Sequence, residues 1–162
     1  MFKQAIALSE YFIGSRFHLG LMYHRLNRFD KALKCFSSVL MKTPKDKTVY
    51  ISRGLVYQDM GNHQFAINDF NAAITLEPTY SESFYRRGIS LLKSRRYMEA
   101  IDDFKQSHEL YREEAKKKEA EHRRDEAPKE NPGVFDGQGC CYHALRDFEQ
   151  AILMFNTAID KD

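Results

Sequence analysis

Small and aromatic residues recur along the chain on a single beat. Gly20, Gly54 and Gly88 lie 34 residues apart, Ala32, Ala66 and Ala100 keep the same interval, and so do Phe36, Phe70 and Phe104. A fourth copy follows 51 residues later, with Gly139, Ala151 and Phe155 in the same mutual spacing. A self-similar period of roughly 20 to 50 residues marks stacked supersecondary units, none of which can bury its apolar face alone. Each unit is predicted to be a pair of helices. Small residues at their crossing let the two backbones approach, Gly20 with Ala32 and Gly54 with Ala66, and large aromatics fill the grooves between successive pairs. Gly61-Asn62 predicts the turn inside the second unit, and Pro44 and Pro78 stop second helices.

The residues between these marks carry a specific resemblance. Residues 13–46 hold Leu19-Gly20, Tyr23, Phe29, Ala32, Phe36 and Pro44; residues 47–80 hold Tyr50, Gly54, Tyr57, Ala66, Phe70, Ala73 and Pro78. Residues 81–114 hold Phe84, Gly88, Leu91, Tyr97, Ala100 and Phe104, with Arg112 where a closing proline belongs. Residues 132–162 hold Phe135, Gly139, Tyr142, Phe148, Ala151, Phe155 and Ala158. The pattern resembles the tetratricopeptide repeat family over nearly the whole chain. That resemblance implies an all-α fold, a right-handed superhelical solenoid of antiparallel helix hairpins, arranged as one array over residues 1–162.

Two stretches depart from the period. Phe2, Ala5 and Ile6 match in kind the residues one repeat later, so residues 1–12 are expected to form the tail helix of a preceding repeat. The chain stops just short of an expected closing proline, and both ends read as cut from a longer array. Residues 115–131 are a charged insert. Glu113–Lys117, Glu114–Lys118 and Glu119–Arg123 have the acid-before-base spacing of four that supports a solvated helix. The second helix of repeat three is therefore expected to run several turns past Leu110 and return through Pro128–Pro132.

Composition narrows the function classes. The 25 basic and 23 acidic residues leave a net charge of +2, which gives no electrostatic reason to expect nucleic acid. No apolar run approaches the roughly 18 residues of a membrane helix, and no membrane partner is expected. Three cysteines, Cys35, Cys140 and Cys141, fit a reducing, cytoplasmic setting. Cys140, Cys141 and His143 follow no metal-site spacing, and Gly133, Gly137 and Gly139 follow no strand, as a phosphate loop would require. No catalytic constellation can be assembled, so no enzyme activity, metal or cofactor is expected.

The repeats also serve as their own alignment. The residue before the key glycine is Leu19, Arg53, Arg87 or Gln138, and sixteen positions later stand Cys35, Asp69, Asp103 and Met154. Arginine occurs only where aspartate does, so ion pairs Arg53–Asp69 and Arg87–Asp103 are expected across the hairpins.

The resemblance further implies a concave face lined by the first helices, on which partners bind. Counted from the glycines, that face carries Phe17, His18, Leu21 and His24, then Ile51, Ser52, Leu55 and Gln58, then Tyr85, Arg86, Ile89 and Leu92. Repeat four contributes Asp136, Gly137, Cys140 and His143. Large apolar side chains stand at sites that the family often keeps polar, namely Leu21, Leu55 and Ile89. The expected role is a protein-interaction scaffold holding a peptide or amphipathic helix. Phe17, Leu21, Ile51, Leu55, Tyr85 and Ile89 anchor it, and His18, Ser52 and Arg86 fix its register. The alternative is an architectural segment whose groove is filled intramolecularly or by self-association, through the cut ends among other routes. The family's clamp for the C-terminal carboxylate of chaperones is disfavoured: the five places it needs hold Phe17, Leu21, Ser52, Glu82 and Arg86, one match in five.

Overall fold

The computed structural model describes the backbone of residues 2–120 and 131–161, and the side chains of residues 12–118 and 131–161. Among these residues eight helices occur and no strand. They are α1 (Phe2–Arg25), α2 (Phe29–Leu40), α3 (Lys47–Asp59), α4 (His63–Leu76), α5 (Ser81–Lys93), α6 (Tyr97–Ala120), α7 (Gly133–Ala144) and α8 (Phe148–Lys161). The chain falls into two compact units, one ending at Leu76 and the other beginning at Glu77. Consecutive helices pair as hairpins, α1 with α2 and α3 with α4 in the first unit, α5 with α6 and α7 with α8 in the second.

The crossing of each hairpin is a glycine set against a phenylalanine ring. A Cβ placed on Gly20, Gly54, Gly88 or Gly139 would lie 2.8, 2.8, 2.9 or 2.6 Å from Phe36, Phe70, Phe104 or Phe155, closer than carbon atoms tolerate. The glycine therefore makes room for the aromatic sixteen residues on. The alanines of the same beat, Ala32, Ala66 and Ala100, are completely buried beside it.

Every hairpin turns in the same way. Asn27, Gly61, Arg95 and Arg146 occupy one repeat position, and all have φ between 54° and 75°. The amide after each donates five residues back, Arg28 to Tyr23, Asn62 to Tyr57, Arg96 to Leu91 and Asp147 to Tyr142, at 2.8 to 2.9 Å. This closes the first helix with a Schellman motif. Only Asn27 and Gly61 are residue types that favour the left-handed region; the two arginines are held there by the hairpin.

In the first unit α2 packs on α3 through Phe36, Val39 and Leu40 against Val49 and Val56, with Leu33 and Tyr50 at the margin. Asp46 caps α3 by accepting from the Thr48 amide at 2.9 Å. In the second unit α6 and α5 both meet α7. Here Gly133 and Gly137, four apart on α7, have the packing role that the sequence left unassigned. A Cβ on Gly137 would strike the Phe104 ring, and one on Gly133 the Tyr85 hydroxyl.

Two expectations meet the structure differently. The tail helix over residues 1–12 is not a separate element, because α1 runs unbroken from Phe2 to Arg25. No proline lies between Phe2 and Tyr23, and the helix continues through Gly14. The extension of α6 is observed: it reaches Ala120, and Glu114 pairs with Lys118 at 3.0 Å on its flank. The Glu119–Arg123 pair and most of the return through Pro128–Pro132 lie outside the described residues.

Candidate interaction surfaces

Two kinds of site emerge: polar forks inside hairpins two and three, and apolar faces on the first helices. Arg53 grips Asp69 with both ends of its guanidinium, Nε to Oδ2 at 2.8 Å and Nη2 to Oδ1 at 2.7 Å. Its third nitrogen, Nη1, donates to Ser37 of α2 at 3.2 Å, tying the second hairpin to the first. Arg87 holds Asp103 in the same way at 2.7 and 2.6 Å. Both aspartate side chains are only 7% exposed. Hydrogen bonding to Asp69 keeps the Arg53 guanidinium even more firmly protonated than usual. Burial pushes the Asp103 carboxyl up, against the pull of Arg87. These arginines are internal braces, since every fork is spent on a carboxylate in its own hairpin.

On the first unit, α1 and α3 lie side by side, and His24 Nε2 meets Asp59 Oδ2 at 2.7 Å between them. Leu21, Ile51 and Leu55 are half-buried on these helices, so each leaves part of an apolar side chain at the surface. Phe17 is half-buried too, its ring 5.7 Å from Phe36 and 5.7 Å from the exposed His18. His24 and Gln58 are half-buried at the same edge. Ser52 differs from its neighbours. It is buried, and its hydroxyl donates to the Thr48 carbonyl at 2.8 Å within its own helix.

On the second unit Tyr85, Arg86, Ile89 and Leu92 form the α5 face, all half-buried. Tyr85 leans over the Phe104 ring at 6.0 Å, wedged by Gly133. Arg86 donates from Nε to Glu82 at 2.6 Å. On α7 the sites split: Asp136, Cys140 and His143 are exposed, whereas Gly137 is turned inward on Phe104. Cys141 is fully buried, and burial pushes its thiol up to about 12. The three cysteines are unbridged. Among the described residues no group of histidine, cysteine or carboxylate side chains is set to hold a metal ion, and no helix is long and apolar enough to cross a membrane.

Stacked hairpins with glycine–phenylalanine crossings and part-open first-helix faces define a helical-repeat class. Three tetratricopeptide-repeat family models match the chain, over residues 15–48, 48–80 and 70–102. The chain belongs to the tetratricopeptide repeat family, a class of helical interaction modules. Among curated proteins it is similar to the peroxisomal targeting signal receptor of Eremothecium gossypii, 27% identical over 84 residues, which is 52% of this chain and 15% of that protein. It is also similar to the Hsp70-Hsp90 organizing protein of Triticum aestivum, 25% identical over 77 residues, 48% of this chain and 13% of that protein. The chain thus spans less than a sixth of the length of either. Among solved structures, MamA MSR-1 shares the fold with a TM-score of 0.73 at 21% identity, covering 93% of this chain and 76% of that one. The first TPR of Spaghetti bound to an HSP90 peptide shares it at 0.68 and 19% identity, covering 83% and 95%.

Proposed function

We propose that the chain is a protein-interaction module whose first-helix faces hold a peptide or amphipathic helix by apolar anchors. The observation that carries this reading is the partial exposure of Leu21, Leu55 and Ile89, one aliphatic at the same repeat position in three successive hairpins. A face that only met water would keep a polar residue there. An apolar side chain left part-open, beside Phe17 and Ile51 on α1 and α3 or beside Tyr85 on α5, gains free energy when an apolar partner covers it. Polar groups at the edges, His18 and Gln58 on the first unit and Arg86 on the second, then set the register of the partner. Ser52 is buried and already bonded to Thr48, so it contributes shape more than contact.

One relative of the fold is a structure bound to an HSP90 peptide, yet the side chains here do not favour a carboxylate clamp. The places that would carry its cationic and amide groups are filled by Phe17, Leu21 and Ser52, and Arg86 is engaged by Glu82 at 2.6 Å. A partner with apolar anchors suits this chemistry better than one defined by a terminal carboxylate.

A displayed random-peptide library selected on the wild-type chain tests the reading. Peptides with spaced aromatic or aliphatic residues should be recovered, and their binding should be lost on Leu55→Asp. That variant should keep its helical signal and lose no more than roughly 1 kcal/mol of stability, as changes at part-exposed positions do. Selected peptides indifferent to Leu55, or no apolar-anchored peptide at all, would overturn it.

A further inference from the structure

We propose that a cavity between α5, α6 and α7 takes the cationic end of a lysine or arginine side chain from a partner protein. The cavity measures about 240 Å³. That is less than the roughly 300 to 1,000 Å³ of sites that enclose a whole small molecule, and suits a single side chain. It lies inside the second unit, at the junction of repeats three and four. Its walls are Tyr80 and Glu82 at the start of α5, Ser107, His108 and Tyr111 of α6, and Val134 of α7.

Repeat-equivalent positions show why an opening forms here. In the first unit the places of Ser107 and His108 are held by Val39 and Leu40, which are buried in one packed core with Val49. Val134 stands in the place of Val49, so one apolar wall is kept while the two residues of the other helix have become polar. The place of Tyr111 is Thr43, beyond the end of α2 at Leu40. Because α6 runs on to Ala120, Tyr111 stands on a helix and adds a wall that the first junction lacks. Ser107 is only 4% exposed, yet it borders the cavity where its counterpart Val39 borders packed apolar atoms.

The lining selects a cation. It holds one carboxylate, Glu82, and among the described residues no ammonium or guanidinium group. Glu82 accepts from Arg86 Nε through Oε1 at 2.6 Å, which leaves Oε2 to accept from a second donor. An ammonium or guanidinium group can combine that oxygen with the Ser107 hydroxyl and with the rings of Tyr80 and Tyr111, since aromatic rings attract cations. Val134 and the rings suit the methylene stem of the same side chain. An anion would instead be brought against the Glu82 carboxylate. The cavity adjoins the α5 face, because Glu82 is bonded to Arg86 one turn on, but it uses none of Leu21, Leu55 or Ile89.

Titration of the isotopically labelled full chain, followed by NMR, tests this. The probes are N-acetyl-arginine amide and N-acetyl-lysine amide, with the corresponding glutamine and glutamate amides as neutral and acidic controls. The basic probes should shift the signals of Ser107, His108, Tyr111 and Val134 saturably, and bind about tenfold or more tightly than either control. Glu82→Gln should weaken them by about tenfold with an unchanged melting curve. Ser107→Val with His108→Leu, which installs the residues of the first junction, should abolish the shifts. Tyr111→Leu should weaken binding as well, and keeps the test decisive if the double variant melts early. Shifts that do not saturate, a control that binds as tightly as the basic probes, or wild-type affinity in Glu82→Gln would overturn the proposal. Leu55→Asp should bind the basic probes as wild type does, so failure here and failure of the apolar-groove reading are distinguishable.

Discussion

Hairpins two and three share with hairpins one and four the glycine–phenylalanine crossing and the left-handed turn, but not the ion pair between them. Where α3/α4 and α5/α6 hold Arg53–Asp69 and Arg87–Asp103, α1/α2 holds Leu19 and Cys35 and α7/α8 holds Gln138 and Met154. A buried bidentate pair needs cover on the aspartate, and hairpins two and three provide it, leaving the carboxylates 7% exposed. In hairpin one the equivalent site opens onto a solvent-facing cleft. An exposed fork there would contribute little, since surface pairs seldom exceed about 1 kcal/mol. The crossing and the turn make a hairpin; the fork distinguishes the second and third.

Breaking a fork should have the largest effect on that distinction. Arg53→Ala leaves the Asp69 carboxylate buried without its partner and should cost about 3 kcal/mol in chemical denaturation. Adding Asp69→Ala should return a large part of that loss, and Arg87→Ala with Asp103→Ala should behave alike. Leu19→Ala at the equivalent place in hairpin one should cost clearly less. Equal losses at the two sites, or additive cycles, would dissolve the contrast.

A smaller effect sharpens the comparison at the site held by Met22, Val56, Ser90 and Cys141, which can titrate only in hairpin four. Burial raises the Cys141 thiol to about 12, so the folded chain binds that proton more tightly than the unfolded one. Its contribution is fully present below the ordinary thiol value near 8.5 and is lost as pH rises from there toward about 12. Wild type should lose roughly 1 kcal/mol per pH unit more than Cys141→Ala over that window. Below it, a thiol reagent should label the exposed Cys140 and spare Cys141. Parallel pH profiles for the two proteins would remove the assignment.

The turns should show the smallest effect, and one that is the same in hairpins with and without a fork. Arg95→Gly and Arg146→Gly relieve a left-handed backbone and should each stabilise by a few tenths to about 1 kcal/mol. Gly61→Ala should destabilise by about 1 kcal/mol, for backbone reasons alone, because nothing lies within 4 Å of the added methyl. A neutral Arg95→Gly would mean that the turn is not strained.

Much of this was legible because repeats expose their own constraints. The 34-residue beat reports the crossing directly: a glycine and a phenylalanine sixteen residues on cannot vary independently when a Cβ would sit 2.8 Å from the ring. The forks could be read for the same reason, as a charge and its partner that come and go together. The left-handed turns at Arg95 and Arg146 could not, since arginine carries no turn signal and is held there only by the helices on either side. Gly133 and Gly137 were seen as an unusual cluster, but their meaning depended on which rings would lie opposite.

The sequence by itself thus determined the hairpins, their crossings and the braces inside two of them, because these rest on residues a fixed number of positions apart in one local unit. Tertiary structure alone decided that α1 continues through the expected break, and that Ser52 and Gly137 turn inward while Leu21, Leu55 and Ile89 stay part-open. Identical periodicity places all these residues on the same helical faces. Whether such a face is closed depends on which neighbouring helix packs against it, and a spacing along the chain carries no record of that.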